Sequence, residues 1–349
     1  MNPAMITTII PTHGRPQLLR RSIKSALNQT YPDLQVCVYD DASSYETADT
    51  VAELKNKDPR VFYWRHSKNV GSVKNYNFAF KNIQTPFFSL LGDDDVLLPD
   101  FYEIAMRSLQ KYSQAAFYAG EVISMQSDGI ILKSANASWA DAYLSPPEGL
   151  LAMLEHGHHP PIWTGTLFRS SIIPRIGLLD EETGCTYDYD YTQRIAAALP
   201  YVKSQTPVAI YVVHPQSASS CTDHSITWPG SLKMIRNVTD NDHLPLAIRK
   251  RVKHYLNQAL KARIICYGKK YLLAEKYDQA YQVAGILRYH LNSKIWALLI
   301  YLVARGCQKI PRLHNRLLKL IALRHRLSDQ KPKAVNPDSA KYAHYLTLD

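Results

Sequence analysis

The chain is poor in the features that mark secreted and membrane-spanning proteins. Its five cysteines are odd in number and far apart, with no CxxC pair and no Cys/His spacing typical of a metal site. The apolar run IWALLIYLVA, residues 295–304, has ten residues, whereas a membrane-spanning helix needs about 20. The N-terminal apolar run is short and follows no basic region, unlike a signal peptide. We therefore expect reduced thiols and a cytoplasmic location.

Charge is distributed unevenly along the 349 residues. Residues 1–229 hold 18 Lys and Arg against 23 Asp and Glu, whereas residues 230–349 hold 23 against 7. A net charge of −5 is thus followed by one of +16, which suggests two functional units, the second facing something anionic. We predict an α/β domain over residues 1–229, a basic helical region over 230–330 and a flexible tail over 331–349.

Strand-like and helix-like patterns alternate through the first hundred residues. The segments MITTIIP, LQVCVYDD, VFYWRH and PFFSLLGDDD are typical of strands, and the segments between them have apolar residues at helical spacing. This order predicts the α/β class, with a Rossmann-like, mostly parallel sheet flanked by helices and followed by the basic α-helical C-terminal region.

Two acidic clusters follow predicted strands. Asp40 and Asp41 end the second strand, and Asp93, Asp94 and Asp95 end the fourth. Ligands bind at the carboxyl ends of strands in such sheets, and adjacent carboxylates repel unless a cation or water screens them. The sequence therefore predicts a cation site at the second cluster, with a solvated acidic turn that caps the next helix as the open alternative.

Four segments resemble family 2 glycosyltransferases in order and spacing: TTIIPTHGRPQLLRRSIKSALNQTYPDLQVCVYDDAS, NVGSVKNYN, FSLLGDDDVLLPD and FRSSIIPRIGLLDEETGCTYDYDYTQRIA. The resemblance covers about residues 5–225. It implies a GT-A fold, a nucleotide-sugar donor that is UDP-linked in the usual case, a divalent metal and an inverting transfer to an acceptor hydroxyl, in surface polysaccharide or glycolipid assembly.

The resemblance assigns the metal and donor roles. Asp94 and Asp95 are expected to bind Mn²⁺ or Mg²⁺, since hard cations prefer carboxylate oxygens, and the metal would offset charge on the departing diphosphate. Asp41 is expected to accept a hydrogen bond from the base. The other expected donor contacts are Pro11, Thr12, Arg15, Gly71, Lys74 and Asp93.

Some of these positions have equally simple structural interpretations. Asp40 is better explained as a turn former before SSYE, and Asn69 and Gly71 also fit a plain helix entry. The segments DDASSYET and THGRP depart from the family pattern, as does Lys74, where an arginine is commoner. The identity of the base is therefore less firmly indicated than the fold.

The segment TYDYDYTQRIA contains the expected general base. Asp188 and Arg194 have the family's spacing, and an inverting transfer needs a carboxylate that takes the proton of the attacking hydroxyl. Asp190 is predicted to be structural, as the i,i+4 partner of Arg194. Tyr187 stands where the family has Glu. The alternative is an acidic first turn favoured by the helix dipole.

Three more residues are candidates for acceptor or diphosphate contacts. His214 resembles a late histidine that some relatives place near the diphosphate, and Trp163 either stacks on a sugar ring or packs in the core. Arg194 completes this group. The histidines of EHGHHPP, residues 155–161, have no accompanying carboxylates at ligand spacing, so we expect a loop there rather than a metal site.

Two other functions compete with glycosyl transfer. A nucleotidyltransferase can share this sheet and acidic site but normally has a Gly-rich phosphate loop, whereas PTHGRPQLL has one glycine. A non-catalytic nucleotide-binding scaffold is favoured by Tyr187 and the THG loop, and opposed by Asp94, Asp95 and Asp188.

The basic C-terminal region lacks nucleic-acid-binding signatures. Its basic and apolar residues suit peripheral contact with an anionic membrane on the inner face, or a solvated helical bundle packed on the α/β domain.

Overall fold

The computed structural model describes residues 4–134, 140–155, 160–217, 227–240, 244–310 and 338–347. A ten-stranded sheet with the path β3-β2-β1-β4-β9-β6-β10-β5 lies at its centre, with β7 beside β6 and β8 beside β10. The strands are β1 Ile6–Thr12, β2 Leu34–Asp40, β3 Val61–Arg65, β4 Phe87–Leu90, β5 Val96–Leu97, β6 Phe117–Gln126, β7 Ile131–Ser134, β8 Ala142–Leu144, β9 Thr166–Arg169 and β10 Tyr201–Val213.

The first four strands form a parallel unit that creates the site. β1 pairs in parallel with β2 on one side and β4 on the other, and β2 pairs in parallel with β3. The chain therefore runs outward from β1 to β3 and returns on the opposite side of β1. Ligands bind outside the carboxyl ends of strands where the order reverses in this way.

The other half of the sheet is mixed, whereas the sequence predicts a mostly parallel sheet. β9 lies antiparallel between β4 and β6, and β10 is parallel to β6 but antiparallel to β5 and β8. The predicted alternation of strand and helix describes β1 to β4 only, because the later strands pair without a helical crossover each time.

In the described part of the first 217 residues, seven α-helices pack around this sheet: α1 Pro16–Leu27, α2 Tyr45–Lys57, α3 Ser72–Lys81, α4 Phe101–Lys111, α5 Glu148–Leu154, α6 Ile172–Ile176 and α7 Tyr187–Ala198. In α1, Pro16 occupies the first turn, where its missing N–H costs nothing. Leu19, Ile23 and Ala26 then recur at helical spacing and are fully buried against the sheet.

The basic C-terminal region is helical and packs on the α/β domain. Its helices are α8 Trp228–Thr239, α9 Leu246–Leu273, α10 Tyr277–Tyr289 and α11 Lys294–Lys309. One apolar cluster runs from Phe88 and Phe168 at the sheet through Ile195 and Leu256 to Ile300. The predicted α/β fold with a helical C-terminal region is confirmed, while the exact domain boundaries stay a prediction.

Part of the segment predicted to be a flexible tail is packed. Residues 338–347 contain α12, Ser339–Ala343, and a short 3-10 turn. Tyr342 packs beside Val96 and Met125, and Arg21 donates to the carbonyl of Leu346 at 3.4 Å. No helix in the described ranges combines the length and apolar character that crossing a bilayer requires.

Candidate active site

A cleft of 640 Å³ opens at the carboxyl ends of β1, β2 and β4. It collects residues that are far apart in the sequence, because parallel strands present these ends at one edge of the sheet. Five carboxylates line it, and they come from the ends of β2 and β4 and from the start of α7: Asp41, Asp93, Asp94, Asp95 and Asp188. Both acidic clusters thus meet at one site, as the sequence predicts.

Asp93 is a buried carboxylate bonded to the loop after β1. Thr12 donates its hydroxyl to Oδ2 at 2.7 Å, and Arg15 Nη2 lies 2.8 Å from Oδ1. Burial raises the pKa of Asp93 to about 6, an effect that Arg15 opposes. Thr12 and Arg15, expected to contact the nucleotide, are therefore also partners of the acidic cluster.

Asp94 is the most accessible of the three consecutive aspartates. Its Oδ2 accepts from Arg15 Nη1 at 2.7 Å and lies 3.0 Å from Nε2 of His214. The fold therefore places His214 beside the acidic cluster, although 120 positions of the sequence separate it from Asp94.

Each oxygen of the Asp95 carboxylate accepts one hydrogen bond from the protein. Its carboxylate accepts from the Thr164 hydroxyl at 2.5 Å and from the backbone N–H of Val212 at 2.9 Å, and its side chain is 3% exposed. Burial and the neighbouring charge of Asp94 raise its pKa. Asp95 thus anchors the acidic loop to β10 and to the turn before β9.

The space above Gly92 suits a small hard cation. A Cβ added there would meet Asp94 Oδ1 at 2.9 Å and Asp95 Oδ2 at 3.0 Å, so these two oxygens converge on a volume that only glycine leaves open. No group of three or more His, Cys, Asp or Glu in the described ranges forms a complete metal site by itself. Magnesium sites in nucleotide-dependent enzymes use one or two carboxylates plus substrate phosphates and water, and the chemistry of Asp94, Asp95 and His214 fits that type.

Asp41 holds the segment before α3. Its two carboxylate oxygens accept the backbone N–H groups of Val70, at 2.6 Å, and Gly71, at 2.9 Å. Gly71 has φ +85, which is why glycine is favoured there, and an added Cβ would meet no atom within 4 Å. A carboxylate has further lone pairs, so Asp41 retains acceptor capacity toward the cleft.

Asp40 is structural, as the sequence predicts. Its Oδ1 accepts the backbone N–H of Ser43 at 2.9 Å and its Oδ2 accepts the Tyr63 hydroxyl at 2.6 Å, with the side chain fully buried. This is the turn-forming role of an aspartate at the end of a strand.

Asp188 stands apart from the acidic cluster, in the first turn of α7. It lines the cleft, is half-buried, and accepts the backbone N–H of Tyr189 at 2.8 Å. Burial raises the pKa of Asp188 to about 6, against the opposing effects of that hydrogen bond and of the more distant Arg263. A carboxylate of this kind can exchange a proton near neutral pH.

Aromatic side chains form the wall between the acidic cluster and Asp188. The rings of Tyr76, Trp163 and Tyr187 lie 5.5–5.7 Å apart. Trp163 is 8% exposed, and its Nε1 donates to the Thr192 hydroxyl at 2.9 Å. Most of the Trp163 surface is therefore packed in the core. Tyr187, at the position where the family resemblance implies a glutamate, is part of the aromatic wall of the cleft.

Two of the candidate residues neither line the cleft nor touch the acidic cluster in it. Arg194 donates to Asp190 at 2.8 Å and to the carbonyls of Ile176 and Leu178, so the predicted ion pair between Asp190 and Arg194 is confirmed. Lys74 lies on the exposed side of α3, with Nζ 3.6 Å from Glu181. The other sequence candidates, Pro11 among them, either line the cleft or, like His214, touch a residue that does.

Comparison with known families identifies the first half of the chain. Residues 7–177 match the sequence model of the family described as Glycosyl transferase family 2. The chain carries a family 2 glycosyltransferase domain. The match covers β1 to α6 and includes the acidic cluster, whereas Asp188 and His214 lie beyond it.

Curated relatives of this glycosyltransferase agree with the family. An uncharacterized glycosyltransferase of Rickettsia typhi is 27% identical over 243 residues, which are 66% of this chain and 72% of the relative. One of Rickettsia prowazekii is 31% identical over 53% of this chain and 57% of its own. The GalNAc(5)-diNAcBac-PP-undecaprenol beta-1,3-glucosyltransferase of Campylobacter jejuni is 36% identical over 94 residues, 27% of this chain and 30% of its own.

Solved structures share the fold of the glycosyltransferase over most of its length. TarS 1–349 of S. aureus in complex with UDP-GlcNAc superposes with a TM-score of 0.66 at 15% identity, covering 87% of this chain and 91% of TarS. The mannosyltransferase PcManGT of Pyrobaculum calidifontis, in complex with GDP-Man and Mn2+, gives 0.51 at 16% identity, with 89% and 88% covered.

Several cleft residues of the glycosyltransferase are not among the sequence candidates. His13 contacts the Asp41 carbonyl through Nδ1 at 2.9 Å, and Asn75 donates to the Tyr39 carbonyl at 2.8 Å. Gly92 and Thr164 shape the acidic cluster as described above. His13 and Asn75 lie in the motifs THGRP and NVGSVKNYN, so their position in these motifs could have indicated that they line the site. The sequence around Thr164 contains no pattern that indicates its contact with Asp95.

Proposed function

We propose that this cleft transfers a sugar, with inversion, from a UDP-sugar to an acceptor hydroxyl. The observation that carries the proposal is the division of the carboxylates. Asp93, Asp94 and Asp95 form a cluster suited to a metal and a diphosphate, while Asp188 stands apart with a raised pKa. An inverting transferase needs a metal site and a separate base. The negatively charged diphosphate departs from one side of the anomeric carbon, and the acceptor hydroxyl loses its proton on the other side.

The donor half of the cleft uses the ends of β1, β2 and β4. Asp41 would accept the imide N–H of uracil, and Thr12 and Asp93 would contact the ribose or the sugar. Arg15, which bridges Asp93 and Asp94, can turn toward the diphosphate. Asp94, Asp95 and His214 would hold Mn²⁺ or Mg²⁺, whose charge would offset that of the leaving group.

Asp188 is the proposed general base. The acceptor oxygen forms a bond to the anomeric carbon as the bond from that carbon to the diphosphate oxygen breaks. The hydroxyl proton passes to the Asp188 carboxylate, and the nucleoside diphosphate leaves with the bonding electrons. Burial keeps Asp188 basic enough to take this proton near pH 7.

We propose a saccharide or glycolipid acceptor of surface polysaccharide assembly. Two relatives support this class by their names: the Campylobacter glucosyltransferase acts on a lipid-linked oligosaccharide, and an Escherichia coli chondroitin synthase is 32% identical over 108 residues. Those matches cover 30% and 16% of the relatives.

The direct test is the product released from a panel of nucleotide sugars incubated with Mn²⁺ and a mixture of methyl glycosides. Release of nucleoside diphosphate, reduced about 10²–10⁴-fold in Asp188→Asn, is expected. Release of pyrophosphate instead would indicate a nucleotidyltransferase. Turnover that survives Asp188→Asn unchanged would remove Asp188 from the base role.

We further propose that helix α11 brings the enzyme to an anionic membrane. The side of α11 that faces away from the protein exposes apolar side chains, namely Ile295 at 76%, Leu298 at 57%, Leu299 at 47% and Leu302 at 53%. The helix contains no acid, and its basic residues are exposed: Lys294, Arg305 and Lys309. An apolar face bordered by cations complements anionic lipid headgroups over an acyl layer.

Liposome flotation tests this contact. The protein should float with vesicles of phosphatidylcholine and phosphatidylglycerol at ~0.1 M salt, where the Debye length is about 10 Å, and much less with phosphatidylcholine alone. The double variant Leu298→Ser and Leu302→Ser should lose flotation, and Leu246→Ser, an exposed leucine on α9, should retain it. Equal behaviour of both variants, or no flotation of the wild type, would contradict the proposal.

A further inference from the structure

A second cavity adjoins the cleft, between the α/β domain and the C-terminal helices. It has a volume of 160 Å³ and shares Pro160 and Tyr189 with the cleft, so the two spaces are neighbours. Its apolar walls come from α5, α8 and α9: Met153, Leu154, Met234, Leu256 and Leu260. Residues beyond the family match at 7–177 thus form much of this cavity.

One buried amide in this cavity has an unused acceptor. Gln193 lies on α7, five positions after Asp188, and its side chain is 1% exposed. Its Oε1 has no hydrogen-bond partner in the part of the chain that the structure describes. An unpaired buried acceptor destabilises the folded protein, and that cost is removed if a ligand donates to it.

The cation Arg263 lies at the same cavity. Arg263 is on α9, is partly buried and lines the cavity beside Leu260. Its positive charge acts on the carboxyl of Asp188, which places it within electrostatic reach of the proposed base. The cavity therefore combines an apolar volume with the acceptor Gln193 Oε1 and the charged donor Arg263, and the hydroxyl-bearing side chains of Tyr189, Ser231 and Tyr255 also line it.

We propose that this cavity receives the acetamido group of an N-acetylated acceptor sugar whose attacking hydroxyl lies at Asp188. The amide N–H donates to Gln193 Oε1, the amide carbonyl accepts from Arg263, and the methyl group packs against the apolar walls. The assignment rests on the proposed glycosyl transfer and names the acceptor class of that reaction.

The match between this ligand and the cavity is chemical as well as steric. An acetamido group has one donor, one acceptor and one methyl group, which are the complements of Gln193 Oε1, Arg263 and the apolar walls. A hydroxyl at the same sugar position would leave the walls unfilled and the amide oxygen unpaired, and a site built to bind an N–H group discriminates against such an analogue. We expect at least a tenfold preference for the acetylated sugar.

Saturation-transfer difference NMR tests the subsite with two matched probes, methyl β-N-acetylglucosaminide and methyl β-glucoside, in the presence of UDP and Mn²⁺. The acetamido methyl protons should receive the strongest saturation in the wild type. This signal should fall at least fivefold in Gln193→Leu and in Arg263→Met. The matched controls Gln282→Leu and Arg288→Met, on α10 away from the cavity, should keep it.

Calorimetric titration of UDP on the same samples separates this inference from the proposed function. Gln193→Leu removes an unpaired buried acceptor, so it should fold with an unchanged or higher Tm and bind UDP like the wild type. If UDP binds but both sugars give equal signals, or if the methyl signal survives in Gln193→Leu, the acetamido subsite is wrong while the donor site stands. If UDP does not bind the folded wild type, the donor proposal itself is wrong.

Discussion

At the scale of the residue, the cleft separates one carboxylate, that of Asp188, from the acidic cluster. Asp188 is half-buried, and burial raises its pKa to about 6, whereas in an unfolded chain an aspartate titrates near pH 4. The folded protein therefore holds this proton more tightly than the unfolded chain does. Ionising Asp188 costs stability, and the function proposed for it accounts for why such a group is kept.

Asp188→Asn should therefore stabilise the protein in a pH-dependent way. Between about pH 4 and pH 6, Asp188 ionises in the unfolded chain but keeps its proton in the folded protein, so the free energy of unfolding of the wild type falls as the pH rises. An asparagine does not titrate, so the variant has no such fall. The gain in free energy of unfolding should be near zero at about pH 4 and reach about 2–3 kcal/mol above pH 7. Urea unfolding across this range measures it. Asp49→Asn, exposed on α2, should change stability little, and an equal gain at both ends of the range would contradict the account.

Gly92→Ala should disturb the acidic cluster without unfolding the protein. The new Cβ would lie 2.9 Å from Asp94 Oδ1 and 3.0 Å from Asp95 Oδ2, so both carboxylates must shift. Both carboxylates are proposed metal ligands, so even shifts of a few tenths of an ångström should weaken metal-dependent UDP binding. Gly285→Ala on α10, where an added Cβ meets open space, is the control and should bind normally. Unchanged binding in Gly92→Ala would show that the space above Gly92 is not used.

The sequence predicts local roles better than distant ones. Asp40 bonds to Ser43 and Asp190 to Arg194, three and four positions away, and both roles follow from spacing alone. Asp95 instead bonds to Thr164 and Val212, 69 and 117 positions away. Only the fold brings those partners together, so no local pattern indicates that Asp95 is so fully engaged.

At the scale of the element, Arg194 fixes α7 to the chain that follows α6. It pairs with the buried Asp190 and donates to the carbonyls of Ile176 and Leu178. Because α7 also carries Asp188 and Gln193, this contact sets the position of the proposed base. A positioning role explains how Arg194 can influence Asp188 without reaching the cleft.

Arg194→Ala should destabilise the protein and leave donor binding largely intact. Removing one partner of a buried ion pair costs about 3–5 kcal/mol, and thermal unfolding should report a Tm lower by several degrees. Arg175→Ala, exposed on α6, should have little effect. If Arg194→Ala kept its Tm and lost UDP binding, the residue would belong to the donor site after all.

Strands and helices were predictable from the sequence where the spacing of apolar residues and the turn-forming residues between segments indicate the same element. β1 to β4 and the helices between them follow from the sequence because each is a short local pattern. The antiparallel pairing of β9 and of β5 does not follow, since β5 has two residues, Val96–Leu97, and β9 four. Such short strands are defined by their neighbours in the sheet rather than by their own sequence.

At the scale of the whole molecule, the change in charge near residue 230 does not divide the core. The apolar cluster continues from Phe88 in the sheet to Ile300 in α11, and the 160 Å³ cavity is formed by both parts. The composition predicts two units of different charge, and the packing joins them. The difference in net charge describes the surfaces of the two parts, whereas the shared core consists of buried apolar residues.

Thermal unfolding should therefore show one cooperative transition. A continuous core lets the α/β part and helices α8–α11 unfold together, so the calorimetric and van't Hoff enthalpies should agree. Differential scanning calorimetry makes this comparison. Two resolved transitions would show that the basic helices form a separate folding unit.

Asp94 and Asp95, which follow β4, are proposed to hold a cation for a nucleoside diphosphate. Calorimetric titration of UDP, GDP, CDP and dTDP, with and without Mn²⁺, tests it most directly on the wild type and on Asp94→Ala. We expect Mn²⁺-dependent binding of UDP in preference to the others, and its loss in Asp94→Ala. Binding of none of the four nucleotides by the folded wild type, or binding that neither Mn²⁺ nor Asp94 affects, would contradict it.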